Sequence, residues 1–183
     1  ERLEDLRLAV DTLGYLDFSF AKARFLREFR CVIPEVNDEG LLTITDGRHP
    51  TLERTLAGQQ KRVVPISVEL DGQRHILVIS GPNTGGKTVA LKTVGLLTLM
   101  ALSGLPVPAA SANVCVLKEV FTDIGERESI AENLGTFSSH LVNIREILET
   151  VSPPALVLMD ELGTGTDPEE GSALGVAIVE RLR

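Results

Sequence analysis

The sequence predicts an α/β domain in which a mostly parallel sheet is flanked by helices, with a short helical arm in front. Three observations carry this. A strand-like run, RHILVIS (74–80), leads into a Gly-rich loop, GPNTGGKT (81–88), and then into a long apolar helix. A short continuous apolar run, ALVLM (155–159), reads as a parallel strand buried on both faces and ends in Asp160-Glu161. Between them, Phe137, Leu141, Ile144 and Leu148 recur at a helical period. Strands alternating with helices build parallel sheets.

The elements follow in order. Residues 1–30 read as helix, with Leu3, Leu6, Val10 and Leu13 in one apolar stripe and Phe18, Ala21, Phe25 and Phe29 in another, divided by Gly14. Pro34 and the NDEG cluster (37–40) end this arm. LLTITDGRHP (41–50) reads as a strand and turn. VVPISVEL (63–70) and RHILVIS form a hairpin across Asp71-Gly72. A helix runs from Lys87 to about Ser103, NVCVLKEVF (113–121) is a strand, and TDIGERES (122–129) is a polar loop. A helix from Thr136 stops at Pro153-Pro154, and a last one opens near Pro168 or Glu169, after the loop GTGTDPEEG (163–171).

Composition narrows the function. At 183 residues, 43% apolar and 24% charged, the chain suits one globular domain with a core. Aromatics are 4% with no Trp, which argues against stacking platforms for single-stranded nucleic acid. A net charge of −8 argues against a basic DNA-gripping face. Cys31 and Cys115 have no metal-ligand spacing and make no disulfide framework, so reduced thiols and a cytoplasmic location are expected. The N-terminal ERLEDLRLAV lacks a signal-peptide core. The uncharged run 93–112 is broken by Gly95, Gly104, Pro106 and Pro108, so it reads as a buried helix and turn, not a membrane span. With no initiator Met, and with Arg183 inside the apolar pattern Leu174, Ile178, Leu182, the expectation is a piece of a larger protein, incomplete at its C-terminal end.

GPNTGGKT fits G-x-x-x-x-G-K-[ST] at every fixed position. Gly81, Gly85 and Gly86 allow a tight turn that points several N–H groups inward. With the following helix N-terminus, Pro82, Asn83, Thr84 and the glycines form a cradle for the phosphates of ATP or ADP. Lys87 brings a point charge to the β- and γ-phosphates, and the Thr88 hydroxyl is a ligand for Mg2+. Asp160, at the carboxyl end of a parallel strand, would hold Mg2+, and Glu161 would polarise the attacking water. Alone, the acidic pair would be a solvated strand end; together with the cradle it completes a P-loop NTPase site at one sheet edge. On this reading 1–36 is a helical arm leading into the domain, and 37–183 is the ATPase domain.

LGTFSSH (134–140) stays open among three readings. In a Ser-His nucleophile, Ser139 and His140 are adjacent, do not face each other on a helix, and have no evident acidic residue to orient the His. A helix cap would use Thr136 or Ser138. In a second anion site, the helix N-terminus would serve the ATP of a facing subunit.

These motifs carry a family resemblance. GPNTGGKTVALKTVGLLTLMALSGLPVPA resembles the ATPase domain of the MutS family, an ABC-type ATPase. RHPTLE (48–53), FTDIGERESI (121–130) and DELGTGTDPEEG (160–171) agree with it, over about residues 10–183. Asn83 after Gly-Pro, the Gly85-Gly86 pair and the Leu-Met helix look most like the second bacterial paralogue, the branch with a C-terminal Smr nuclease domain. The resemblance implies a homodimer whose ATP sites are each completed by the other subunit. It places Lys87 and Thr88 on phosphate and Mg2+, Asp160 on Mg2+ and Glu161 as general base. It makes Gly135, Thr136, Phe137 and Ser138 the signature offered in trans, and runs Gly163, Thr164, Gly165, Thr166 and Asp167 along the dimer interface. Relatives act on branched DNA and are linked to suppression of recombination, and some to splitting collided ribosomes. No membrane partner is implied, and DNA contacts and the Smr domain are expected outside these residues. Gly135 departs from the usual Ser, which predicts weaker γ-phosphate sensing. A nucleotide-dependent clamp with negligible turnover is the alternative. An SMC-like or transporter ATPase would show a Ser-Gly-Gly signature, and a P-loop kinase an Arg-rich lid.

Overall fold

The structure, a computed structural model, describes residues 2–82, 85–125 and 136–183, and for 136–139 the backbone alone. Helix α1 (Arg2–Glu28) is uninterrupted, with Gly14 inside it rather than dividing it. Glu4 and Asp5 sit in its first turn and Arg27 in its last, where each complements the helix dipole. Leu3, Leu6, Val10 and Leu13 stand exposed, and among the described residues the far end of α1 is the part that packs against the core. There Phe29 is buried, Phe25 packs against the core, and their ring centroids lie 4.7 Å apart.

Strand β1 (Glu35–Asn37) follows, then β2 (Leu42–Gly47) and α2 (Pro50–Ala57). The short helix α2 stands where the sequence suggested only a turn. Pro50 begins it, and His49 Nδ1 accepts the Leu52 N–H at 3.4 Å, a cap from an unusual residue type. Arg48 joins α1 to α2: its guanidinium donates to the Phe29 and Arg30 carbonyls at 2.6 and 3.2 Å and to Glu53 at 3.1 Å. It thereby satisfies carbonyls that a helix end leaves unpaired.

The sheet is mixed, which corrects the mostly parallel expectation. Four strands lie in the order β1-β4-β2-β3, with β3 at Ile66–Leu70 and β4 at Ser111–Cys115. β1 and β4 are parallel, while β2 is antiparallel to both β3 and β4. Along β2 buried and half-buried residues mostly alternate, the pattern of a strand with one wet face, which suits antiparallel pairing. A second, two-stranded sheet pairs β5 (Glu119–Asp123) with β6 (Ala155–Met159) in parallel.

The expected hairpin is corrected too. The turn forms: the Asp71 N–H donates to the Arg74 carbonyl at 3.1 Å, and the Asp71 carboxylate accepts from the Arg74 and Gln73 N–H groups at 2.7 and 2.8 Å. Those two backbone bonds, then the Arg74 guanidinium, hold the carboxyl down at about 2. Residues 74–80 nevertheless pair with no described strand, and Leu77 and Val78 stand exposed. A turn sets chain direction, but a ladder needs a neighbour in register; β3 finds that neighbour in β2. The single strand expected at 113–121 is likewise two. Between them the Val116 N–H donates to the Asn37 carbonyl at 2.8 Å and the Lys118 N–H to the Pro154 carbonyl at 2.9 Å, passing the chain from one sheet to the other.

Helix α3 (Lys87–Leu102) unites the two sheets. It touches β1, β2 and β4 of the first sheet and β6 of the second. Being apolar nearly all round, it is a core helix: Leu97 is fully buried beside Ile44, Val107 and Val114. Gly95 permits the approach to β6, since a Cβ there would lie 2.6 Å from Leu158 Cδ1. Thr98 is also fully buried, and its hydroxyl has no partner among the described residues. Helices α4 (Thr136–Thr150) and α5 (Pro168–Leu182) complete the fold. No helix among the described residues is long and apolar enough to cross a membrane. The N-terminus of α3 and the carboxyl ends of β5 and β6 are the elements that build the site.

Candidate nucleotide site

Gly81 (φ 145°) and Gly86 (φ 80°) occupy left-handed backbone, which side chains other than hydrogen rarely tolerate. Gly86 caps α3 without a side chain, so among the described residues no side-chain cap covers the helix's first N–H groups. The Gly85 N–H donates to the Pro82 carbonyl at 2.9 Å, closing the turn. Asn83 and Thr84 lie outside the described residues. The Lys87 ammonium donates to the Gly81 carbonyl, folding back over the loop.

The Thr88 hydroxyl donates to Asp160 Oδ2, so the first turn of α3 meets the end of β6. The Asp160 N–H donates to the Asp123 carbonyl at 2.9 Å, extending the β5–β6 ladder by one bond. Asp160 Oδ1 accepts the Glu161 N–H at 3.0 Å, and Glu161 adopts φ 53°. That conformation costs a non-Gly residue on the order of 1 kcal/mol and turns the chain sharply at the strand end. Glu161 is exposed, free to reach a bound molecule. A hydroxyl and a carboxylate converging at a helix N-terminus are hard oxygen donors and fit Mg2+, which takes few protein ligands and completes its shell with phosphate and water. Among the described residues no three His, Cys, Asp or Glu side chains cluster as an all-protein metal site.

The loop after Glu161 is tightly folded. Gly163 (φ 79°) and Gly165 (φ 88°) turn it, and the Thr164 N–H donates to the Glu161 carbonyl at 3.1 Å. Asp167 caps α5 by accepting the Glu169 N–H at 2.9 Å, and the Thr166 hydroxyl donates to Glu170 at 3.1 Å. Gly163 and Gly171 meet backbone to backbone: a Cβ on Gly163 would lie 2.1 Å from the Gly171 carbonyl oxygen, and one on Gly171 2.0 Å from that of Gly163.

Of the expected trans signature, Gly135 lies outside the described residues. Thr136 opens α4, which carries Phe137 and Ser138 in its first turn. His140 corrects one expectation, because it does have an acidic partner. Its Nδ1–H donates to Asp123 Oδ2 at 2.9 Å, and Asn143 donates to Asp123 Oδ1 at 2.8 Å. The sequence held a signal for this. His140 and Asn143 stand one turn before the buried Ile144 and Ile147, so both are polar residues at the edge of the packed face. Asp123, His140, Asp160, Glu161, Gly163 and Thr164 line one small cleft.

The family profile of MutS domain V matches residues 77–183, more than half of the chain. The chain is 53% identical over 169 residues to "Endonuclease MutS2" of Clostridium botulinum (strain ATCC 19397 / Type A), covering 92% of this chain and 21% of that protein. It is 50% identical over 178 residues to "Endonuclease MutS2" of Geobacillus kaustophilus, covering 97% and 22%, and 49% identical over 183 residues to that of Geobacillus thermodenitrificans, covering 100% and 23%. It thus spans about a fifth of the length of the relatives it matches. With a domain V profile over its C-terminal half and half its residues shared with these relatives, the chain belongs to the MutS family, in its MutS2 branch.

Proposed function

We propose that this chain is the ATP-binding and hydrolysing domain of a dimeric, DNA-acting MutS-like protein. The observation that carries the reading is the meeting of Thr88, at the N-terminus of α3, with Asp160, at the end of β6. It brings the first turn of α3 to the strand end that carries Asp160 and Glu161, which supports the reading.

The N–H groups at the start of α3, which no side chain caps among the described residues, bind and orient the phosphates. Lys87 adds charge at the β- and γ-phosphates. Thr88 and Asp160 would hold Mg2+, which when bound neutralises charge on the phosphate oxygens. Glu161 orients a water and takes its proton as that water attacks the γ-phosphorus, giving ADP and phosphate. Residues 1–36 are the end of a lever region and 37–183 the ATPase domain, cytoplasmic in setting.

Two such domains would complete each other as a homodimer. On this reading Gly135, Thr136, Phe137 and Ser138 are the signature that would serve the partner's nucleotide, and the loop 163–167 would run along the contact. In the full-length protein we assign this engine to work on branched DNA and suppression of recombination, with ribosomes as a further partner. The endonuclease activity in the relatives' name belongs on this reading to other parts of the protein.

The test uses the full-length protein. Lys87→Ala abolishes nucleotide binding, while Glu161→Gln keeps binding and slows hydrolysis by roughly 10²–10⁴-fold, the usual contribution of a positioned base. Normal hydrolysis by Glu161→Gln would refute the base assignment. Negligible wild-type turnover with tight ATP binding would make the domain a nucleotide-dependent clamp instead.

A further inference from the structure

We propose that Asp123 is a positioning residue that ties helix α4 to the strand end carrying Asp160 and Glu161, so that the chain's own ATP site and the signature it offers a partner move as one unit. The inference rests on the ATPase reading above and assigns it a part that neither the cradle nor the Asp-Glu pair supplies.

Asp123 holds two elements with two different groups. Its carboxylate is 8% exposed and engages α4 twice, through His140 at 2.9 Å and Asn143 at 2.8 Å. These residues are three apart, one above the other on one helix face. The Asn143 amide also reaches the Thr122 carbonyl at 3.4 Å, a second tie to β5. The backbone carbonyl of Asp123 accepts the Asp160 N–H at 2.9 Å. A shift of α4 therefore pulls on the residue that fixes the backbone of Asp160.

Two physical points favour a positioning role over plain packing. A carboxylate this buried is tolerated only with donors on both oxygens, and apolar side chains of similar volume would stabilise the contact as well or better. Directional bonds to two named groups fix where α4 sits, which apolar contact does not. His140 is also 31% exposed and lines the same cleft as Asp160 and Glu161. The clamp therefore borders the reacting region without touching the cradle.

The experiment compares wild type, Asp123→Ala, His140→Leu, Asn143→Leu and His140→Asn in the full-length protein. The last variant keeps an N–H donor near the position of Nδ1. Measured are ATP affinity, steady-state kcat and KM, and the mass of the species with and without a non-hydrolysable ATP analogue and Mg2+. The expected result is a kcat lowered about tenfold or more, the scale seen when supporting partners of a site are removed. ATP affinity stays within about twofold, because the cradle is untouched. ATP-dependent dimerisation weakens, and His140→Asn recovers most of the loss. If Asp123→Ala fails to fold, the two α4 variants decide. A kcat within about twofold of wild type in both His140→Leu and Asn143→Leu overturns the inference. So does a parallel loss of affinity and turnover that His140→Asn fails to restore. A wild-type protein that neither binds nor hydrolyses ATP overturns the ATPase reading itself, a result the variants cannot mimic.

Discussion

The Thr88 hydroxyl donates to the Asp160 carboxylate, joining residues 72 apart in the chain at the point where α3 begins and β6 ends. Thr88→Val keeps the shape and removes the donor. If this pair grips Mg2+, the variant loses about tenfold in Mg2+-dependent nucleotide affinity, equivalent to ~1.4 kcal/mol. Affinity measured in EDTA stays unchanged. Equal loss with and without Mg2+ would place the hydroxyl on the phosphate instead. A fluorescent ATP analogue titrated in both buffers reads the difference.

Gly171→Ala tests the closed loop at 163–171. The new methyl would sit 2.0 Å from the Gly163 carbonyl oxygen, and backbone cannot swing aside as a side chain can. Alanine gains up to about 1 kcal/mol in helix propensity over glycine, but overpacking of this kind costs about 1–3 kcal/mol. The expected outcome is a net loss in thermal stability and a slower turnover. A raised melting temperature would show that the contact is not obligatory.

Thr98→Val should stabilise. The hydroxyl is fully buried without a partner among the described residues. Replacing an unpaired hydroxyl by a methyl of similar shape removes a desolvation penalty of about 1–3 kcal/mol. Urea unfolding should shift to a higher midpoint with unchanged slope. A lower midpoint would mean that the hydroxyl finds a partner.

Burial pushes the Cys31 thiol up to about 11, an effect that nearby Arg48 only partly offsets and Glu53 reinforces. Its folded value lies above the unfolded one, so folding favours the protonated form. The thiol's contribution to stability is complete below about pH 9 and falls away as pH rises towards 11. Iodoacetamide at pH 8 should therefore label Cys31 much more slowly in the folded protein than in urea. Equal rates would contradict this.

How much of this was legible beforehand follows from which contacts are local. The cradle and the Asp160-Glu161 pair are read within a few residues, because a phosphate loop and a strand end are contiguous pieces of chain. Strand pairing is not local. RHILVIS and ISVEL look alike as runs, yet among the described residues only the second finds a ladder, and nothing within either run says that β2 is the partner. Helix α2 was hidden by its cap, since His49 is not among the residues that usually announce a helix start. Asp123 was hidden because it read as the start of a polar loop, whereas it closes β5 and meets His140, 17 residues on. The DNA-related setting came from resemblance, since no basic face or aromatic platform signals it.

The meeting of Gly163 and Gly171 has a thermodynamic side. A segment whose two ends already touch has surrendered most of its conformational freedom during folding. A partner settling on residues 163–167 would then find a surface with little disorder left to quench, and association there would lose less entropy than on an open loop of equal length. Affinity at that edge would be set by shape and hydration, and it would respond to any substitution that lets the ring spring apart.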